Sequence, residues 1–156
     1  MATVFFGKQF TNRVHQLCEA KDKNTGKSIF QTNLDFMIFA AMVGRNVNSS
    51  CAGVKIEKSS KGIKDSTFSA GHKDGYAFLL ALEGANNGNI LRDGNENELY
   101  KYIESYAFLG CQEIEKWISD RPNDELHEII LDKIMHAAEP LSFKGSSSKE
   151  IPDIDI

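Results

Sequence analysis

The feature that most constrains this chain is an apolar segment at residues 29–46, which reads IFQTNLDFMIFAAMVGRN. Thr32 and Asp35 stand three residues apart near its start, the spacing of a helix N-cap and an acceptor in the first turn. Apolar residues follow at helical spacing, and Gly44 is predicted to end the helix because glycine adopts the left-handed conformation without a Cβ penalty. A helix this apolar must be buried. The segment therefore predicts a helix over residues 33–43 at the centre of a hydrophobic core.

Similar patterns elsewhere predict a mainly α fold, a compact bundle of five or six helices. The other helices are predicted at residues 11–20, 74–85, 95–120 and 123–138. Gly110 marks either a break in the third of these or a close helix contact, and Pro140 is expected to end the last. The helix at residues 74–85 is apolar almost all round, which predicts a second buried element beside the central helix.

Extended structure is predicted in two places. Residues 3–6 are a short β-prone stretch, an edge strand or a support beneath the first helix. Val54 and Ile56 alternate with charged residues, and Ile63 and Phe68 are assigned to a second extended piece after a Ser-Ser-Lys-Gly turn. A small β-hairpin is therefore predicted near residues 53–69.

The length of 156 residues fits one domain. We expect a single helical domain over residues 1–139, followed by a flexible tail of acidic and apolar residues at 140–156. Within that tail, Ile151, Ile154 and Ile156 are the candidate partner-binding residues; a plain disordered end is the alternative.

A cytoplasmic location is expected from three observations. No apolar run approaches the roughly 20 residues of a membrane span. The first residues lack the pattern of a secretory signal. The three cysteines, Cys18, Cys51 and Cys111, are scattered and odd in number, which favours idle thiols in a reducing compartment.

Charge is divided unequally along the chain. Residues 1–72 hold ten Lys/Arg and five Asp/Glu, a net charge of +5, whereas residues 73–156 hold eight and seventeen, a net charge of −9. Segregated charge fits an interaction surface, but a solvated surface of mixed charge is the alternative. The candidate nucleic-acid-binding residues come from the basic half and its border: Arg45, Lys55, Lys58, Lys61, Lys64 and Lys73.

Catalytic motifs are not evident, so we expect neither an enzyme nor a cofactor. Residues 24–28 contain a Gly-Lys-Ser sequence, but the earlier glycine and the preceding strand of a phosphate-binding loop are missing, which predicts a simple turn. His15 and Cys18 share a helix face, yet two ligands do not make a closed zinc site. An enzyme with an unrecognised site is kept as a weaker alternative.

Two segments together resemble a known family. Residues 29–46 form the apolar helix with its glycine, and residues 90–118 read ILRDGNENELYKYIESYAFLGCQEIEKWI. This order resembles the small accessory proteins associated with bacterial DNA phosphorothioation (Dnd) systems, in which an apolar helix precedes a basic loop. A later helix in that family reads like Glu-Glu-Tyr-Ala before a glycine, where this chain has Glu104-Ser105-Tyr106-Ala107 and Gly110. After Ala107 this chain departs from the pattern, with Phe108-Leu109.

The resemblance covers residues 29–120 and implies a context, a prokaryotic DNA-modification, restriction or anti-phage locus, without implying a reaction. We therefore expect a non-catalytic accessory subunit that acts by protein contacts with a partner in such a complex. The alternative is a small DNA-binding regulator of the same locus. A direct DNA contact and a homo-oligomer remain open, and the sequence does not identify the partner.

Overall fold

The computed structural model describes residues 1–144, with side chains described for residues 1–139. The elements follow in chain order: β1 (Thr3–Gly7), α1 (Thr11–Cys18), α2 (Asn33–Val47), β2 (Lys58–Lys64), α3 (Asp65–Ala70), α4 (Asp74–Ala85), α5 (Glu96–Asp120) and α6 (Leu126–Lys144). Single 3-10 turns lie at Lys8–Phe10 and Gly88–Leu91. The predicted fold class, mainly α with six helices and a small antiparallel sheet, is confirmed for the described residues.

The core is built around the crossing of α2 and α5. The Asp35 backbone N–H donates to Thr32 Oγ1 over 3.1 Å, so the predicted N-cap of α2 is present. Where the helices cross, a Cβ on Gly44 would lie 1.9 Å from the Tyr106 carbonyl oxygen, and one on Gly110 would lie 1.6 Å from that of Ala40. Both glycines therefore allow backbone to touch backbone.

This crossing corrects one prediction and decides another. Gly44 does not end α2, which continues to Val47, because the glycine is required inside the helix for contact with α5. Gly110 marks a close helix contact and not a break, and α5 is continuous through it.

The two strands of the sheet lie far apart in the sequence. β1 pairs antiparallel with β2, with Val4 opposite Ile63. β2 lies within residues 53–69 but not where extended structure was predicted: Val54 and Ile56 precede it, and the Ser-Ser-Lys-Gly sequence predicted as a turn lies inside it. Its partner is β1. The prediction that Phe68 is extended was wrong, because Phe68 lies in α3 and is fully buried. On its other edge β1 meets α5, where the Phe5 N–H donates to Glu104 Oε2 over 2.8 Å.

Two helices differ from their predictions in ways that matter for function. α4 has the predicted bounds and is buried on one side, but its opposite side, although apolar, is exposed. α6 does not end at residue 140 and continues to Lys144. The remainder of the predicted tail, with Ile151, Ile154 and Ile156, lies outside the described residues. No helix in residues 1–144 has the length and apolarity needed to cross a membrane.

Candidate functional site

Half of the predicted nucleic-acid-binding cations are engaged in ion pairs. Arg45 Nε lies 2.7 Å from Glu83 Oε2, and the Lys73 ammonium binds Asp35. Lys58 Nζ lies 3.7 Å from Glu104 Oε1 and 4.8 Å from the centre of the Phe5 ring. These three side chains offer less positive charge to a phosphate than the sequence suggested.

Lys55, Lys61 and Lys64 are exposed and make no ion pair within the described residues. Two of them lie on β2, whose outer edge pairs with no other strand in the described part of the chain. Phe5 is opposite Gly62 and Gly7 is opposite Lys58, so three residues of β2 bulge opposite a single residue of β1. Lysines and bulges on an edge strand hinder pairing with another chain. The lysines of β2 therefore have a structural explanation that does not require DNA.

α6 leaves the body of the molecule soon after it begins. Ile129 and Ile130 are buried, but every residue from Leu131 to Glu139 is exposed. Three large apolar side chains in this part, Leu131, Ile134 and Met135, are between 46% and 59% exposed. With Ala138 they follow the i, i+3, i+4, i+7 spacing of a single helix face. We call these four residues the α6 stripe.

The direction of α6 is fixed by contacts at its base. Arg121 at the end of α5 pairs with Asp132 at 2.6 Å, from Nη1 to Oδ2, and with Asp124 at 2.5 Å. Lys133 Nζ lies 5.3 Å from the centre of the Trp117 ring. Because Asp132 and Lys133 are turned toward α5, the α6 stripe lies on the side of the helix that faces away from the body.

A second apolar surface lies on α4. Its core side consists of Ala77, Leu80 and Ala81, which are buried. The opposite side carries exposed large side chains, with Leu79 at 62% exposure the most open. The members of this α4 face are Tyr76, Phe78, Leu79 and Leu82.

The α4 face belongs to a firmly held helix. Lys73, one residue before α4, is paired with Asp35 of α2, and Glu83 near its end is paired with Arg45 of α2. On the α5 side, a Cβ on Gly84 would lie 2.5 Å from the Tyr102 ring, so the two helices are in close contact. The exposure of the face is therefore a property of the ordered fold.

A cleft of about 260 Å³ between α1 and β2 contains side chains that resemble a catalytic group. His15 Nδ1 lies 2.7 Å from Glu19 Oε2, and Ser59 and Ser60 line the same cleft. No hydrogen bond joins either serine hydroxyl to His15 in the described residues; Ser59 Oγ donates instead to the Lys61 carbonyl oxygen over 3.0 Å. The His15 and Glu19 side chains are 65% and 49% exposed. The arrangement is a surface hydrogen bond without the nucleophile contact that hydrolysis requires.

The thiols have the properties of structural residues. Burial raises the pKa of Cys18 to about 12 and raises the pKa of Cys111 above its ordinary range. Burial also raises the pKa of the half-buried Cys51. A thiol with a raised pKa is a poor nucleophile at neutral pH. The described residues contain no group of three or more His, Cys, Asp or Glu placed to hold a metal ion.

Comparisons with known proteins give the context. A family model described as DNA sulphur modification system-associated protein 4 matches residues 7–149, almost the whole chain. Neither the curated proteins nor the solved structures contain a match. The match confirms the resemblance to Dnd-associated accessory proteins that was drawn from residues 29–120. The chain therefore belongs to the family of DNA sulphur modification system-associated protein 4.

Proposed function

We propose that this chain is a non-catalytic accessory subunit of a DNA sulphur modification system and acts by binding another protein of that system. Such a role belongs to a DNA-modification, restriction or anti-phage defence locus. Family membership supports the association with the system. The observation that carries the protein contact is the α6 stripe, an apolar helix face that faces away from the body of the molecule.

Without a partner, the outer part of α6 is surrounded by water. From Leu131 to Lys144 α6 extends about 20 Å and lacks a supporting helix among the described residues. Isolated helices of that length are marginal in water. Covering three half-exposed Leu, Ile and Met side chains contributes a few kcal/mol, at about 1 kcal/mol each. A partner that buries the stripe therefore stabilises both the helix and the complex.

Charge indicates which kind of partner fits. Residues 125–139 contain four acidic residues and one lysine, a net charge of −3 with histidine neutral. Amphipathic helices commonly bind in apolar grooves, which their side chains at positions i, i+3, i+4 and i+7 contact. We therefore expect the partner to offer an apolar groove rimmed by Lys or Arg. Ile151, Ile154 and Ile156 follow α6 among further acidic residues, and the proposal includes them as an extension of the same contact.

The test is capture of proteins of the same locus by the tagged chain in its native host, with and without nuclease, identified by mass spectrometry. We expect a protein encoded by the DNA sulphur modification locus to be captured in a nuclease-resistant manner. Leu131→Glu combined with Ile134→Glu should reduce that capture at least about tenfold, whereas Leu79→Glu, the same kind of change on α4, should retain it.

A chain that ends at residue 139 should also lose part of the capture if residues 140–156 extend the contact. Capture that is equal for the wild-type chain and the α6 double variant would contradict the proposed site. Capture that disappears with nuclease would contradict the direct protein contact.

The second candidate function is a small DNA-binding regulator of the same locus. Its specific support is that Lys55, Lys61 and Lys64 have no ion-pair partner among the described residues. Under this alternative, replacing all three with Glu abolishes DNA affinity that falls with rising salt. The matched control replaces Lys21, Lys23 and Lys27, which lie in a different loop, with Glu. Equal losses in both triple variants would indicate only nonspecific attraction, and no measurable affinity in the wild type would reject the regulator.

A further inference from the structure

The α4 face has no role in the proposed contact of α6, and it is the second large apolar surface of the described residues. Within the α4 face, Tyr76, Leu79 and Leu82 follow one another at intervals of three residues, and Phe78 lies one turn before Leu82. A helix that is apolar all round is normally buried on every side. In this structure only one side is covered, so the other side is a candidate for burial in an assembly.

The charges around the α4 face indicate which kind of molecule binds it. Between Gly75 and Ala85 the only charged residue is Glu83, and its carboxylate is paired with Arg45 at 2.7 Å. In a symmetric contact between identical chains, each group meets a copy of the same patch, so an unpaired charge near the axis would meet its own sign. Between Gly75 and Ala85, where the axis would pass, the only charge is paired, so this repulsion is avoided. The α6 stripe, with its acidic surroundings, does not have this property.

From this combination we propose that the α4 face binds a second copy of the chain in a two-fold symmetric contact. The simplest arrangement sets the two α4 helices antiparallel, with the axis between Leu79 and Leu82. Leu79 of one copy then contacts Leu82 of the other. This inference goes beyond the proposed function and does not depend on it.

The size of the surface sets the expected strength of the dimer. Met42 lies one turn before Arg45, whose ion pair connects α2 to α4, and Leu91 lies in the 3-10 turn that contacts α4; both are exposed. With them the patch presents on the order of 500 Å² of apolar surface per copy, at the upper end for a monomer. Stable interfaces bury about 800 Å² per partner. Because the patch is smaller than that, we expect a weak dimer that forms at high concentration and dissociates on dilution.

Sedimentation velocity of the full chain from about 1 to about 500 μM tests the proposal. The wild-type chain should shift from monomer to dimer over this range. Leu79→Glu should weaken the dimer about 100-fold, because each carboxylate would be buried against Leu82 of the other copy without a partner. Ile134→Glu, the same kind of change on α6, should leave dimerisation unchanged. Since Leu79 and Ile134 are both exposed, circular dichroism should show that each variant is folded.

A cysteine experiment tests the arrangement itself. In a Cys51→Ser background, a mixture of chains carrying Leu79→Cys and chains carrying Leu82→Cys should form a disulfide-linked dimer on mild oxidation. A mixture carrying Leu131→Cys and Ile134→Cys on α6 is the control and should not. A wild-type chain that remains monomeric at every concentration would overturn the proposal. A dimer that Ile134→Glu weakens as much as Leu79→Glu would also overturn it. Partner capture by the α6 variant is measured in a separate experiment and does not depend on either result.

Discussion

At the scale of single residues, two glycines hold α2 and α5 together. The positions of a Cβ on Gly44 and on Gly110 are occupied by carbonyl oxygens of the facing helix, at 1.9 Å and 1.6 Å. Backbone atoms cannot turn aside as a flexible side chain does, so the helices would have to separate. Gly44→Ala and Gly110→Ala should each lower the free energy of unfolding by about 3 kcal/mol, measured by urea denaturation.

Gly75→Ala is the matched control, because a Cβ at Gly75 meets nothing within 4 Å. Alanine has the higher helix propensity, so this change should raise the free energy of unfolding by up to about 1 kcal/mol. The same small effect at all three positions would show that α2 and α5 do not touch at their backbones.

Asp35 predicts a dependence of stability on pH. The hydrogen bond from Lys73, assisted by one from Thr32, lowers the pKa of Asp35 below its ordinary value. Because the pKa in the folded state is below that in the unfolded state, the stabilisation is present above about pH 4 and is lost as the pH falls through the folded-state pKa. Asp35→Asn should cost about 1 kcal/mol at pH 7, and the deficit should shrink steadily between about pH 5 and pH 2.

The control for this prediction is Asp93→Asn, since Asp93 is exposed and makes no ion pair within the described residues. Its stability should remain within about 0.5 kcal/mol of the wild type at each pH. An Asp35→Asn deficit that does not change with pH would show that the carboxylate charge is not what stabilises the start of α2.

At the scale of elements, the attachment of the sheet to the helices depends on Glu104. This carboxylate is buried, accepts the Phe5 N–H over 2.8 Å and lies 3.7 Å from Lys58 Nζ. Glu104→Ala leaves a strand N–H without an acceptor and should cost about 2 kcal/mol in the free energy of unfolding. Glu104→Gln keeps an oxygen acceptor and should cost clearly less. Equal costs would assign the effect to the lost charge and not to the hydrogen bond.

α4 and α6 illustrate how far a helical pattern predicts the role of an element. The bounds of α4 follow from the sequence, and so do the buried Ile129 and Ile130 of α6. The apolar pattern of α4 did not indicate that one of its sides is exposed to solvent. An apolar helix face predicts burial, but it does not predict whether the residues that bury it belong to the same chain or to another one.

At the scale of the whole molecule, the α4 face and the α6 stripe are separated by much of α5. α4 contacts α5 at Tyr102 and α6 contacts it at Trp117, which corresponds to about 22 Å along the helix. Changes at such separated exposed sites should act independently. A chain carrying both Leu79→Glu and Ile134→Glu should therefore lose dimerisation and partner capture together, with a free energy of unfolding, from urea denaturation, within about 0.5 kcal/mol of the wild type. Loss of both activities from either single change would show that the two surfaces are coupled.

Features that depend on near neighbours in the chain could be predicted from the sequence: the Thr32 cap, the bounds of α4, the class of the fold and the turn at the Gly-Lys-Ser sequence, where Gly26 has a φ of +68°. The sequence also carried the family resemblance. These features follow from spacing within a few turns of chain, where capping and helical periodicity act.

Contacts between distant segments could not be predicted in this way and are seen in the folded chain. Gly44 is a helix crossing point because Tyr106 lies against it, and β2 pairs with a strand some 60 residues earlier in the chain. Three of the six predicted basic residues are neutralised because Glu83, Asp35 and Glu104 are brought beside them. The same folding left the α4 face and the α6 stripe uncovered. Local periodicity shows that a face is apolar or a residue is charged, but the energy of burial or pairing depends on what the rest of the chain brings next to it.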